Sequence, residues 1–112
     1  MRIVNLDQFV AMPAGTLFSK YQPCVFEDLC IKGDSIEETR DFFYQPIVDT
    51  LDCGGSDEFH SMLFDAQEGG VSIPMNFHYE SRDGCFEPAQ LFAVWESADV
   101  DALIARLQET RS

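Results

Sequence analysis

The side chains best suited to metal binding or nucleophilic catalysis are two histidines and four cysteines: His60, His78, Cys24, Cys30, Cys53 and Cys85. Zinc and redox sites usually place paired ligands a few residues apart. No Cys-x-x-Cys or His-x-x-x-His spacing occurs, and the two histidines fall on different predicted elements. The spacing therefore predicts no metal site and no cofactor. We expect all four cysteines to be reduced thiols that behave as small apolar residues.

Cys53 and His60 are the cysteine and histidine closest in sequence, and together they would suit a Cys–His dyad. Such a dyad needs a lowered thiol pKa. The neighbours of Cys53 are Asp52, Asp57 and Glu58, and nearby carboxylates raise a thiol pKa. An inert thiol is therefore the favoured interpretation.

Gly54-Gly55 precedes a predicted helix, as in loops that bind phosphate at a helix N-terminus. The acids on both sides of this pair would repel phosphate, and the segment lacks the alternating oxygen ligands of an EF-hand. Paired carboxylates are equally weak candidates: Glu37-Glu38 and Asp57-Glu58 are adjacent, and adjacent helical residues point about 100° apart. The sequence therefore favours a protein without enzymatic activity, although it does not exclude an enzyme.

The elements that must position these residues follow from hydrophobic spacing. Asn5 is a predicted cap of a short helix that Pro13 ends. Strands are predicted over 16–21, 24–31, 41–45, 71–79 and 90–95, with a turn at Lys32-Gly33-Asp34. Together with two later helices, these elements predict a single domain over 1–112 of the α+β class: a mostly antiparallel sheet of four or five strands with about three helices packed on one face.

The second helix has the clearest pattern, over 56–68. Ser56 is its predicted N-cap, and its apolar stripe is Phe59, Met62, Leu63 and Ala66. A third helix is predicted after Ser97, with one packed face formed by Val100, Leu103, Ile104 and Leu107. The strict alternation over 71–79 predicts a half-buried strand that Pro74 places at a sheet edge.

Charge is the most unusual property of the 112-residue chain, whose net charge is −13. Residues 41–105 contain thirteen acids and a single base, Arg82. Local ion pairs cannot neutralise such a segment, so it should carry a negative potential that repels nucleic acid and anionic membranes and attracts basic protein surfaces. Solubility alone is the alternative explanation. With no signal-peptide pattern at the N-terminus and no apolar run of about 20 residues, we expect a cytoplasmic protein.

The candidate partner-binding residues are acids on or beside the second and third helices. On a helix beginning near 56, four of them flank the apolar stripe and should form one solvent-facing band. Carboxylates spaced along a rigid helix can imitate a row of phosphates. The full set is Asp49, Asp52, Asp57, Glu58, Asp65, Glu68, Asp99 and Asp101.

The small size, the acidic block and the reduced cysteines, with the segments Met12-Pro13-Ala14-Gly15-Thr16-Leu17-Phe18 and Gln90-Leu91-Phe92-Ala93-Val94-Trp95, resemble in type the small acidic orphan proteins of phages and mobile elements. That group includes anti-CRISPR and other anti-defence inhibitors that imitate DNA. The resemblance transfers no functional residue. It implies a stoichiometric inhibitor that docks on the basic surface of a nucleic-acid-handling protein and competes with nucleic acid.

Two other functions remain open on the sequence. A small-ligand or enzymatic domain would use an aromatic pocket, with Tyr44, His78, Tyr79 and Trp95 as lining residues. A homodimeric interaction module would use the edge strand predicted at Pro74 and an uncovered sheet face.

Overall fold

Antiparallel strand pairing organises most of the molecule. The computed structural model describes residues 1–84 and 87–111, and these residues form seven strands and three helices. The strands are β1 (Arg2–Asn5), β2 (Leu17–Gln22), β3 (Val25–Phe26), β4 (Cys30–Ser35), β5 (Phe42–Pro46), β6 (Ser81–Arg82) and β7 (Leu91–Trp95). The helices are α1 (Leu6–Val10), α2 (Ser56–Gly69) and α3 (Ser97–Gln108). The α+β class with a mostly antiparallel sheet is therefore confirmed, with more strands than the four or five predicted.

The sheet order is β1-β7-β2-β4-β5-β6, and β3 pairs with β2 outside this path. All of these pairings are antiparallel. The apolar strand β7 lies between β1 and β2, which agrees with its prediction as a central strand. β1 lies at one edge of this order and β6 lies at the other. The helix α3 follows β7, near the β1 edge, whereas α2 follows β5, near the β6 edge.

Four phenylalanine rings form the centre of the core. Phe9 of α1 stacks on Phe92 of β7 with ring centroids 4.1 Å apart. It also contacts Phe18 of β2 at 4.7 Å and Phe42 of β5 at 4.9 Å. All four side chains are at most 2% exposed. A helix of only five residues is therefore fixed to the sheet by Phe9, together with the buried Leu6.

The start of α1 is also stabilised locally, as the sequence predicted. The Asn5 side chain accepts a hydrogen bond from the Gln8 backbone N–H at 2.8 Å. The Gln8 side chain in turn accepts one from the Asn5 N–H at 2.9 Å, which completes a capping box.

Lys32 is a buried cation beside this core, with only 2% of its surface exposed. Its ammonium donates to the Gly33 carbonyl at 3.0 Å and to the Ser35 hydroxyl at 2.8 Å, and lies 5.8 Å from the centroid of the Phe9 ring. Burial lowers the pKa of Lys32, and the charge of Asp34 partly opposes this. Lys32 is therefore a structural residue rather than part of the surface charge.

The turn predicted at residues 32–34 is wrong, because β4 runs through it. The Lys32 N–H donates to Thr16 O, and Lys32 O accepts from the Gly15 N–H, so the backbone stays extended beside the chain that enters β2. A register shift between Lys32 and Ser35 interrupts the pairing with β5. Gly33 fits here because a Cβ atom would lie only 2.8 Å from a carboxylate oxygen of Glu80. The strand predicted over 24–31 is accordingly divided between β3 and β4.

The strand predicted over 71–79 is also wrong, despite its strict alternation. The segment makes one isolated bridge, Leu51 to Met75, supported by hydrogen bonds from Asp52 N–H to Pro74 O and from Asn76 N–H to Thr50 O. Pro74 has no N–H to continue a ladder, and the Asn76 side chain accepts from the His78 N–H at 3.0 Å to form a local turn. Pro74 therefore lies on no sheet edge, and the edge-strand basis for a homodimer is lost.

The N-caps of the two long helices lie one residue earlier than predicted, and both helices are less buried than predicted. Gly55, not Ser56, is the N-cap of α2, and Glu96, not Ser97, is the N-cap of α3, where it forms a capping box with Asp99. No residue of α2 or α3 is buried. Ile104 and Leu107 are about half exposed, so the packed face predicted for α3 is wrong at these positions. None of the helices in the described part of the chain has the length and apolar character to cross a membrane.

Candidate protein interaction surface

Six of the predicted acids surround α2 and are all exposed. We call them the acidic face: Asp49, Asp52, Asp57, Glu58, Asp65 and Glu68. The first two lie in the segment between β5 and α2, and the other four lie on the helix itself. The Glu58 carboxylate accepts a hydrogen bond from the Gly54 N–H at 2.7 Å, which stabilises the turn before α2.

Within residues 1–84 and 87–111, no cation forms an ion pair with the acidic face. Lys32 is buried in the core. Five other cations pair with carboxylates elsewhere: Arg2, Lys20, Arg40, Arg82 and Arg106. The negative charge of the acidic face is therefore not balanced locally by the fold, and it remains available to a cation from outside.

Phe64 lies in the middle of this charge and was missed by the sequence analysis. Its side chain is 63% exposed. It is seven residues after Asp57 and four before Glu68, so the helical period puts the three residues on one side of α2, opposite the apolar stripe. An exposed aromatic residue surrounded by carboxylates is typical of interface anchors with a polar rim. The same spacing in the sequence would have identified Phe64 as exposed.

The two remaining predicted acids, Asp99 and Asp101, lie at the other end of the sheet. The Asp99 carboxylate accepts a hydrogen bond from the amino group of Met1 at 2.6 Å, beside β1. This bond, followed by one from the Glu96 N–H, lowers the pKa of Asp99. Asp101 lines a surface cavity together with Arg2 and Trp95. Both residues lie on α3, which follows β7, and are therefore not part of the acidic face, whose residues follow β5.

A cavity of about 350 Å³ opens beside the N-terminus of α2, and we call it the aromatic cleft. Tyr44, Phe59 and Tyr79 supply its rings, and Asp49 and Thr50 supply polar groups. Burial, followed by the charge of Asp83, raises the pKa of Tyr44, so its phenol is neutral at physiological pH. The cleft is continuous with the acidic face because Asp49 belongs to both.

The four residues predicted to line one aromatic pocket do not share a cavity. Tyr44 and Tyr79 line the aromatic cleft. His78 lines a second cavity with Phe77, and Trp95 lines a third beside α3. The prediction is therefore correct for the two tyrosines and wrong for His78 and Trp95.

The thiols that the structure describes, Cys24, Cys30 and Cys53, are all free. Burial, followed by the charges of Asp28 and Asp49, raises the pKa of Cys30 to about 11, so this thiol is protonated at neutral pH. The Cys53 sulfur lies 3.8 Å from the Gly55 carbonyl oxygen, and the His60 ring packs edge-on against Phe59. The predicted thiol at Cys85 lies outside the described residues.

Comparison with known proteins adds no relative: no family model matches the chain, and no curated protein or solved structure shows significant similarity to it. Among residues 1–84 and 87–111, no three His, Cys, Asp or Glu side chains are grouped as metal ligands would be. The fold and surface together define an acidic α+β domain whose acidic face and exposed Phe64 form a candidate interaction surface.

Proposed function

We propose that this protein is a cytoplasmic, stoichiometric inhibitor that docks its acidic face on the basic surface of a nucleic-acid-handling protein and competes there with nucleic acid. In this role it would act as DNA-imitating anti-defence proteins of phages and mobile elements act. One observation carries the proposal: six exposed carboxylates around α2 have no ion pair with a described cation of the chain.

Electrostatics supports a basic protein as the partner. A chain of net charge −13 repels the phosphates of nucleic acid, whereas a nucleic-acid-binding surface carries the lysines and arginines that neutralise phosphates. Carboxylates spaced along a helix can take the place of those phosphates, because the same cations bond both groups. Competition between the inhibitor and nucleic acid follows because both occupy the same cations.

Phe64 supports a protein partner rather than simple solubility. The Phe64 side chain is 63% exposed, and an exposed aromatic ring lowers the solubility of a protein. A surface that served only solubility would not need this ring. At an interface the same ring would supply apolar contact, while the surrounding carboxylates supply orientation and association rate.

The proposal is tested with a triple variant of the acidic face: Asp52→Asn, Asp65→Asn and Glu68→Gln. All three side chains are exposed and form no hydrogen bond or ion pair with another described residue, so the fold should be retained. Tagged wild-type protein is first used to capture partners from a lysate of its native cell at low salt, and each captured nucleic-acid-binding protein is then purified. Fluorescence anisotropy then measures competition with a labelled oligonucleotide. We expect displacement of the oligonucleotide, weakening with added salt, and a loss of about tenfold or more in the triple variant.

The matched control removes the same charge elsewhere, through Asp34→Asn, Glu37→Gln and Glu38→Gln. These exposed residues lie in and after β4 and also raise the net charge of −13 by three. The control should compete nearly as well as the wild type. Retention of no nucleic-acid-binding protein, binding that ignores salt, or equal losses in both triple variants would contradict a specific acidic face.

A further inference from the structure

Backbone hydrogen bonds fix the chain that borders the aromatic cleft. Thr50, one of its lining residues, follows β5, and its carbonyl oxygen accepts a hydrogen bond from the Asn76 N–H at 2.7 Å. Next to it, the Asp52 N–H donates to Pro74 O at 2.9 Å. The volume of about 350 Å³ lies in the range of roughly 300–1,000 Å³ that is usual for ligand sites.

Thr50 has an unused hydrogen-bonding group at this position. The residue is 7% exposed, and its hydroxyl has no hydrogen-bond partner among the described residues. Leaving a buried polar group unpaired costs free energy, so most such groups in native proteins have a partner. Less than 1 Å² of the Thr50 oxygen is accessible, so its side chain has to rotate toward the cleft before a bound hydrogen-bond donor can reach the oxygen.

The charge at the cleft selects a cation. The N-terminus of α2 contributes about half a positive charge, which favours an anion. Against it stand four full negative charges within ten residues: Asp49, Asp52, Asp57 and Glu58. These outweigh the helix dipole, and Asp49 itself lines the cleft.

The rings of Tyr44, Phe59 and Tyr79 narrow the choice among cations. A guanidinium group is planar, stacks on aromatic faces and has five donors, so it can bond a carboxylate and a hydroxyl at once. An ammonium group is a compact, strongly hydrated charge that stacks poorly. We propose that the aromatic cleft receives an arginine side chain of the basic partner, with its guanidinium between the tyrosine rings, bonded to Asp49 and, after rotation of the Thr50 side chain, to the Thr50 hydroxyl. This inference rests on the proposed function of the acidic face.

The inference is tested first with peptides, which need no knowledge of the partner. The probe is a blocked Ala-Arg-Ala tripeptide, compared with blocked tripeptides that carry lysine or citrulline at the centre. Citrulline keeps the shape of arginine without its charge. Titrations of the isotope-labelled protein are followed by NMR at the Thr50 methyl group and the rings of Tyr44 and Tyr79. We expect saturable millimolar binding of the arginine peptide, severalfold weaker binding of the lysine peptide, and at least tenfold weaker binding of the citrulline peptide.

Variants locate the site. Thr50→Val removes the unpaired hydroxyl while keeping the side-chain shape, so the fold should be retained, and Tyr79→Ala removes a ring that is already 58% exposed. Each should weaken binding of the arginine peptide threefold or more. Asp49→Asn should do the same, whereas Asp101→Asn, with the same charge change on α3, should not. Citrulline binding equal to that of arginine, or indifference to both Thr50→Val and Tyr79→Ala, would overturn the assignment.

The same variants separate this inference from the proposed function. If Thr50→Val and Tyr79→Ala leave competition with nucleic acid unchanged while the triple variant of the acidic face loses it, the cleft assignment fails and the proposed function stands. If the cleft variants lose arginine-peptide binding but the triple variant competes as well as wild type, the arginine site is supported and the proposed docking by the acidic face fails.

Discussion

The sheet around α1 and the segment from residue 47 to 80 use their aromatic residues in opposite ways. Phe9, Phe18, Phe42 and Phe92 are at most 2% exposed and contact one another within the sheet core. In the 47–80 segment Phe64, Phe77 and Tyr79 are more than half exposed, and α2 buries no residue. The first region contributes stability, since burial of apolar area is the main favourable term in folding. The second contributes surface.

This difference has a consequence for dynamics. Segments with few buried apolar contacts open at lower free energy than the core of the same domain. The 47–80 segment is held together by backbone hydrogen bonds of its own, such as Asn76 N–H to Thr50 O. It is also joined to β5 where the Asn76 carbonyl accepts a hydrogen bond from the Gln45 side chain at 3.3 Å. We therefore expect α2 to fluctuate more readily than β7. Such a region can adjust to a partner while the sheet stays fixed.

The largest expected effect compares the same substitution in the two regions. Phe9→Ala removes a ring that is fully buried among three others, and it should lower the free energy of unfolding by about 3–5 kcal/mol. Phe64→Ala removes a ring that is 63% exposed, so the loss should be below about 0.5 kcal/mol. Urea denaturation followed by tryptophan fluorescence measures both. Similar losses for the two variants would show that α2 belongs to the cooperative core.

A smaller effect is expected at Asp41, which connects the start of β5 to the chain around β6. Its carboxylate bonds to the Arg82 guanidinium and to the backbone N–H groups of Phe42 and Gly84. Burial alone would raise the pKa of Asp41, but these hydrogen bonds, first that of Arg82, outweigh it and lower the pKa. Asp41→Asn should therefore cost about 1–2 kcal/mol near neutral pH, whereas Asp65→Asn on α2 should cost less than about 0.5 kcal/mol.

The contribution of Asp41 to stability should depend on pH. A carboxylate whose pKa is lowered by folding contributes stability above the ordinary aspartate pKa of about 3.9, and this stability is lost as the pH falls through the lower folded pKa. The difference between the wild type and Asp41→Asn should accordingly shrink below about pH 4. Unfolding measured from pH 7 to pH 3 tests this, and a difference that stays constant with pH would contradict it.

The sequence predicted the elements that depend on local residues and failed where distant contacts decide. The Asn5 cap, the helix over 56–68 and the strand over 90–95 follow from capping residues and periodicity, and the structure contains all three. The alternation over 71–79 predicted a strand, but no neighbouring strand pairs with it beyond the bridge at Met75. At residues 32–34 a turn-forming sequence is extended because Thr16 and Gly15 pair with Lys32.

The candidate surface divides in the same way. The helical period predicted which side of α2 carries its acids, because that depends only on spacing along one helix. The aromatic cleft joins Tyr44 of β5 to Tyr79, 35 positions later, and no periodicity within one element relates them. Trp95 and His78 were predicted as pocket residues from their residue types alone, and the fold places each of them in a cavity other than the aromatic cleft.

The smallest expected effect tests whether α2 opens independently. Gly55 is the N-cap of α2 and has no side-chain cap bond; its φ of 169° is extended backbone that any residue adopts, and an added Cβ would meet no atom within 4 Å. In Gly55→Ser the hydroxyl can accept the N–H of Asp57 or Glu58, which should stabilise the helix by a few tenths of a kcal/mol. Gly55→Ala is the matched control, since it restricts the backbone equally but supplies no acceptor.

Amide hydrogen exchange distinguishes local from global opening in these variants. If α2 opens on its own, Gly55→Ser should slow exchange in α2 by at least about twofold relative to Gly55→Ala and leave the β7 amides unchanged. If α2 opens only with the sheet, the β7 amides would slow by the same factor. That second result would contradict the distinction between a stable sheet and an adjustable acidic helix. A new cap on α2 can stabilise the β7 strand around Phe92 only if helix and sheet unfold together as one cooperative unit.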